Sequence, residues 1–324
     1  MSAIPFAFAA LLLASPVVLL AAATPTVAKP NVVIIFMDDM GYADIGPFGA
    51  TKQKTPNLDR MAREGMKLTN FYAAPVCSVS RAQLLTGCYG ARVSVPGVYG
   101  PGGKEGLNPA EHTIAERMKE GADAGSAAPL RSGKGSTWEG GVRVPTLARW
   151  PGKIAPGSTC AAVAGTIDLL PTAVAVAGGA MPAAPVIDGR DISPLLLGKS
   201  TTSPREAHYY FRAYNLEAVR QGPWKLAFAP QHETMGKGVL DDASGTAPRL
   251  YNLDQDIGEK TNVAGQHPDI VAKLQPLAAK MAAEIGGNHP TARRPAGSVA
   301  MAATLYPTAG AVKKGDKAGK PPTR

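Results

Sequence analysis

Three cysteines in 324 residues are too few to build a fold from disulfides. Charged residues make up only 18% of the chain, while Val, Ile, Leu and Ala are plentiful, so wholesale disorder is excluded and a globular body is expected. No internal repeat is visible. After residue 23 no apolar run is long enough to span a bilayer. The positive charge is also scarce where it would matter most. Of the net +9, Lys313, Lys314, Lys317, Lys320 and Arg324 against Asp316 place +4 in the last dozen residues. That lysine tail has no interleaved aromatics and no nucleic-acid-binding module, so specific nucleic-acid recognition is not expected.

Residues 4–23 are apolar and uncharged and are followed by Ala, Thr and Pro, the pattern of an export signal cleaved after Ala23 or Ala28. An uncleaved membrane anchor is the alternative, disfavoured by Pro16. Export leads to an oxidising compartment, in which Cys77, Cys88 and Cys160 cannot all pair within one chain. The expected organisation is a signal over 1–28, an α/β domain over 29–200 with a junction near 121–129, a C-terminal subdomain over 201–291, and a disordered basic tail over 292–324.

Asn31 to Met37 is a continuous β-branched apolar run ending at Asp38-Asp39, as in a parallel-sheet strand buried on both faces. Thr55-Pro56 to Gly65 carries start and stop signals for a helix, and Met66 to Ala73 reads as a strand. A second helix is expected over 108–120, with Asn108 as cap, Pro109 at the first position, Glu111 closing a capping box, and Ile114 and Met118 buried. Val142 to Trp150 reads as a strand and Ile167 to Ala177 as a helix. From His208 to Ala229 the pattern alternates around Gly222-Pro223, which predicts antiparallel strands. Leu274, Leu277, Met281 and Ile285 mark a terminal helix interrupted by Pro276.

Three constellations could carry chemistry. Asp38 and Asp39 are adjacent carboxylates at the carboxyl end of the expected strand, where open α/β sheets place ligand sites and where hard cations find oxygen; a solvated turn or a helix cap fits equally. Cys77 stands at the N-terminal edge of a short expected helix, with Arg81 one turn on and on the same face. Such an edge gathers anions and favours thiolate, although a small buried cysteine beside a surface arginine is the plainer reading. Lys134 lies in a Gly-rich loop, Gly133-Lys134-Gly135, that could approach phosphate or sulfate. No Ser or Thr follows it directly, so it is not a nucleotide P-loop.

Taken in order, Asp38-Asp39, Cys77-Ser78-Val79-Ser80-Arg81-Ala82 with Leu84-Leu85-Thr86-Gly87, and Gly133-Lys134-Gly135 with Trp138 to Pro145 resemble the sulfatase family. Arg149 to Lys153, Ile167-Asp168-Leu169, Val219-Arg220 with Trp224-Lys225-Leu226, and Leu250 to Leu253 are similar to its later motifs. The resemblance implies an alkaline-phosphatase-like α/β fold with a mainly parallel sheet and a smaller C-terminal antiparallel sheet. It implies hydrolysis of sulfate esters on a sulfated small molecule or glycan. Cys77 would be converted to formylglycine by a formylglycine-generating enzyme and act as nucleophile, Arg81 would steady it, Lys134 would contact sulfate, and Asp38 and Asp39 would bind calcium.

The chain departs from that pattern twice. Val79 stands where the family commonly has Pro or Ala, and a β-branched residue restricts the conformation a modifying enzyme must read. Between Gly121 and Gly125 the family's long middle, with its Gly-Lys-Trp-His stretch, a further histidine and an Asp-Asn metal pair, is absent. Its loss would leave calcium short of ligands, the leaving group short of an acid, and the sheet with exposed edges. Two alternatives follow: a non-catalytic remnant that binds anionic glycans, and a phosphoester hydrolase of the same superfamily. Asp123 superficially imitates the metal motif, but its setting is that of a solvated linker acid. His112, His208, His232, His267 and His289 fit structural or solvated roles better than that of a replacement acid.

Overall fold

The computed structural model describes residues 30–100, 105–108, 110–111, 127–231 and 248–298. The leader, nearly all of the helix expected over 108–120, most of the junction, and the chain beyond 298 lie outside the described residues. The first part carries α1 (Pro56–Glu64), β1 (Met66–Leu68), β2 (Phe71–Tyr72), α2 (Cys77–Thr86), β3 (Glu105–Gly106), α3 (Glu139–Val142), β4 (Thr146–Ala148), β5 (Ser158–Cys160), β6 (Ala164–Gly165), α4 (Leu169–Val176) and α5 (Ser193–Leu196). The second carries β7 (His208–Arg212), β8 (Asn215–Gln221), β9 (Trp224–Ala227), β10 (Arg249–Asn252), α6 (Pro268–Ile285) and β11 (Gly297–Ser298).

Pro56 sits in the first turn of α1 with Asp59 beside it, a start that needs no N–H and favours negative charge. Gly65 caps the end of the helix, and only glycine fits there because a Cβ would run into the Ala148 carbonyl oxygen. The chain then enters β1, which pairs in parallel with β5 and antiparallel with β4. A parallel β2–β6 pair continues the layer. Leu68, Phe71, Ile192 and Leu195 close the core beneath these strands.

The C-terminal sheet runs β10-β9-β8-β7, antiparallel throughout, and turns between β8 and β9 at Gly222, whose φ of 58° suits glycine. Helix α6 lays Leu274, Ala278 and Ile285 on Val219, Leu226 and Leu250. It runs unbroken through Pro276, because burial of this stripe outweighs one missing hydrogen bond.

The strand expected over 31–37 does not form. The segment joins no sheet; Val33 and Ile35 are 81% and 77% exposed, and Val32 and Met37 are more than half exposed. Ile34 and Phe36, pointing the other way, are half-buried. A run that is apolar on both sides needs cover on both faces and a partner at its edge. Among the described residues only the inner face is covered.

Two smaller differences appear nearby. The strand expected from Val142 is confined to β4, because Glu139–Val142 turns helical first. Glu111, expected in a capping box, is held instead by Arg294 at 2.6 Å, while Asn108 Oδ1 accepts the Ala110 N–H at 3.0 Å. Arg294 is therefore placed, and β11 pairs with β3, inside the stretch expected to begin the disordered tail. All three cysteines are free thiols.

Candidate active site

Helix α2 presents two of the expected residues. Val76 enters it extended, and the Ser80 hydroxyl accepts the Ala74 N–H at 3.1 Å while lying 3.0 Å from the Ala74 and Val76 carbonyls, to which it can donate. The entry turn is thereby fixed. Val79, Ala82 and Leu84 are buried, which leaves Cys77 and Arg81, one turn apart, on the half-exposed face. Gly87 closes the helix in the left-handed region at φ 67°.

The lysine loop is tied to the same turn. The Gly135 N–H donates to the Pro75 carbonyl at 2.9 Å, and Arg212 Nε donates to the Gly135 carbonyl at 3.2 Å. Gly135 has a φ of 90°, so glycine is needed there. From behind, the fully buried Glu139 anchors the loop. Its carboxylate accepts from Tyr72 at 2.6 Å and Tyr210 at 2.9 Å and faces Lys225 at 3.3 Å and Arg143 at 3.4 Å. Its N–H donates to Glu259 at 2.7 Å, and Lys225 pairs with Glu259 at 2.7 Å. Burial would raise the Glu139 pKa, but Lys225, Arg220 and Arg143 hold it near 2.

All five expected residues meet in one cluster. Arg81 Nη2 donates to Asp38 Oδ2 at 3.1 Å, and Lys134 Nζ pairs with Asp39 Oδ1. Partial burial would lower Lys134, but the hydrogen bond and charge of Asp39, then the nearby Cys77 and Asp38, raise it. Asp39 holds a φ of 52°, a sparsely populated conformation for a non-glycine residue. Arg81 Nε is buried and has no acceptor among the described residues. A donor left unpaired beside a half-exposed thiol and an ammonium group can receive an anionic oxygen.

The described histidines lie elsewhere: His208 stacks on Tyr72, His267 tilts against Trp224, and His289 is exposed. His112, His232 and Asp123 are outside the described residues. The loop-anchoring network of Glu139, Lys225 and Glu259 was not predicted. Its sequence signal, charged residues within apolar stretches, is visible only at Lys225.

Residues 30–121 match the family pattern described as sulfatase, and residues 203–302 match that of the C-terminal region of aryl-sulfatase; together they span more than half of the chain. The chain belongs to the sulfatase family. Its class is that of sulfuric ester hydrolases. Human arylsulfatase A is 27% identical over 452 aligned positions, covering 80% of this chain and 89% of that protein. The rat N-acetylgalactosamine-6-sulfatase is 57% identical over 70 residues, 21% of this chain and 13% of that one. Among solved structures, the PsFucS1 sulfatase from Pseudoalteromonas superposes with a TM-score of 0.64 at 19% identity, over 79% of this chain and 90% of its own. The fold is thus alkaline-phosphatase-like, as in the solved sulfatases.

The alignment with arylsulfatase A is longer than the 324 residues of this sulfatase, so that relative carries a long internal segment missing here. Formylglycine fits the site, since a hydrated aldehyde at residue 77 would lie beside the unpaired Arg81 Nε and Lys134. Calcium fits poorly. It takes about six to eight oxygen ligands, whereas Asp38 and Asp39 are each already paired with a cation, and no group of three acidic, histidine or cysteine side chains occurs among the described residues.

Proposed function

We propose that this sulfatase cleaves a sulfate ester at the Cys77 cluster, with Cys77 converted to formylglycine. The unpaired, buried Arg81 Nε beside Cys77 and Lys134 is the observation that carries this reading. When present, formylglycine supplies a hydrated aldehyde as nucleophile toward sulfur. Arg81 orients residue 77 and donates to it, and Lys134 donates to a sulfate oxygen. Both cations offset charge where it accumulates during transfer, which is where oriented groups act most strongly. Asp38 and Asp39 hold the two cations in register. Calcium is the metal the family implies, but no step is assigned to it with this donor set.

The substrate class is a sulfated small molecule or glycan, in keeping with the arylsulfatase and N-acetylgalactosamine-6-sulfatase relatives. Export, with access to a formylglycine-generating enzyme, rests on the apolar 4–23 segment. No helix among the described residues is long and apolar enough to cross a membrane.

Mass spectrometry of the Cys77 peptide, from protein made in an exporting host, and release of a phenol from an aryl sulfate test the reading. The expected result is formylglycine at 77, turnover abolished in Cys77→Ala, and a loss of about 10²-fold in Lys134→Ala. An equally active Cys77→Ala protein would sink it. The missing internal segment favours a second reading, a remnant that retains sulfated glycan without turnover. Unmodified Cys77 with salt-sensitive glycan binding would select that one.

A further inference from the structure

A cavity of about 860 Å³ lies between the β5 edge, the loop over 197–207 and the β8–β9 turn. None of Asp38, Asp39, Cys77, Arg81 or Lys134 lines it. Its volume falls within the ~300–1,000 Å³ of small-molecule sites. Met66, Val163 and Leu195 give it apolar wall, and Asn70, Ser203, Arg205, His208 and Arg220 give it polar groups.

Two of these polar groups are unfinished. His208 is 5% exposed and its Nδ1 has no partner; the Arg205 side chain is also 5% exposed and its Nε has none, among the described residues. Buried nitrogens of this kind are ordinarily hydrogen-bonded, so each asks for a ligand atom. The charges around them are already spent. Arg205 is paired with Asp168, and Arg220 with Glu139 at 3.6 Å, its Nε donating to the Gly222 carbonyl at 2.8 Å. His208 is kept neutral, first by burial and then by the Arg205 cation. Beside these two nitrogens an anion would meet no uncommitted positive charge and would approach Asp168 and Glu139; the exposed Lys153, which also lines the cavity, is offset by Glu206 and Asp254 in the same lining.

We infer that this cavity is a second binding site, separate from the Cys77 cluster, for an uncharged, hydroxyl-rich small molecule such as a short sugar. A hydroxyl can accept from Arg205 Nε and either donate to or accept from His208 Nδ1. Ser203 already donates to the Val163 carbonyl at 2.5 Å and so offers lone pairs to the ligand, while the apolar wall takes the CH faces. The site does not depend on the reaction proposed at Cys77.

Saturation-transfer NMR and titration calorimetry on the full chain test this, with glucose and maltose as neutral probes and sodium sulfate as the charged one. The expected result is saturable maltose binding, unchanged in Lys134→Ala and by added sulfate. Ala161→Trp, which fills the cavity from its exposed rim, should weaken binding at least about tenfold, with melting unchanged. His208→Phe, which keeps the ring and removes the nitrogens, should weaken it less. Absence of binding by both sugars, displacement by sulfate, or undiminished binding in Ala161→Trp would overturn the assignment.

Discussion

In the C-terminal sheet Val219, Leu226 and Leu250 are wholly buried beneath α6, whereas Val33 and Ile35, of the same chemistry, stand in solvent. Both stretches are apolar enough to be core. The difference is that β8, β9 and β10 have neighbours on both edges or a helix on their face, and the 31–37 segment has neither on its outer side among the described residues. Burial is conferred by the partner, not by the run itself. Among the described residues no strand pairs with 31–37.

The comparison breaks most sharply at Lys225, the buried cation between Glu139 and Glu259. Lys225→Ala should destabilise by about 3–5 kcal/mol, since it leaves the buried Glu259 without its cation and Glu139 with only Arg143 and Arg220; urea midpoints would show it. Next in size is a matched pair. Leu226→Ala should cost about 2–5 kcal/mol, while Ile35→Ala should stay within about 0.5 kcal/mol, and equal losses would mean that 31–37 is covered in solution.

The smallest effect concerns pH. Burial pushes Glu217 up to about 7 and raises Glu259 in the same direction. Between the ordinary carboxylate range and pH 7 the folded chain keeps protons that the unfolded chain has released. Their stabilising contribution is therefore full at low pH and lost as pH rises through about 7. Melting should be higher at pH 5.5 than at pH 8, by roughly 2–4 °C for each kcal/mol gained, and Glu217→Gln should flatten the difference.

Local signals were legible wherever one element decides its own structure. Pro56 and Gly65 bound α1, Cys77 to Gly87 forms one helix, and Gly222-Pro223 turns a hairpin, all as the residue types require. The meeting of Asp38, Asp39, Cys77, Arg81 and Lys134 was legible only through the resemblance, since the bond from Gly135 to Pro75 that registers the two loops leaves no trace in composition. The 31–37 run was misread for the opposite reason. Its pattern states what environment it suits, and whether that environment exists is decided by residues elsewhere.

The hydrogen bond from Gly135 to Pro75, with Glu139 braced behind it, sets the spacing of Lys134 from Cys77 through a short local path. That path meets the end of the 31–37 segment only through Asp38 and Asp39, which follow it. The placement of the Cys77 thiol near the Lys134 ammonium is therefore a local property of two adjoining loops and their buried brace, independent of how the 31–37 segment is paired.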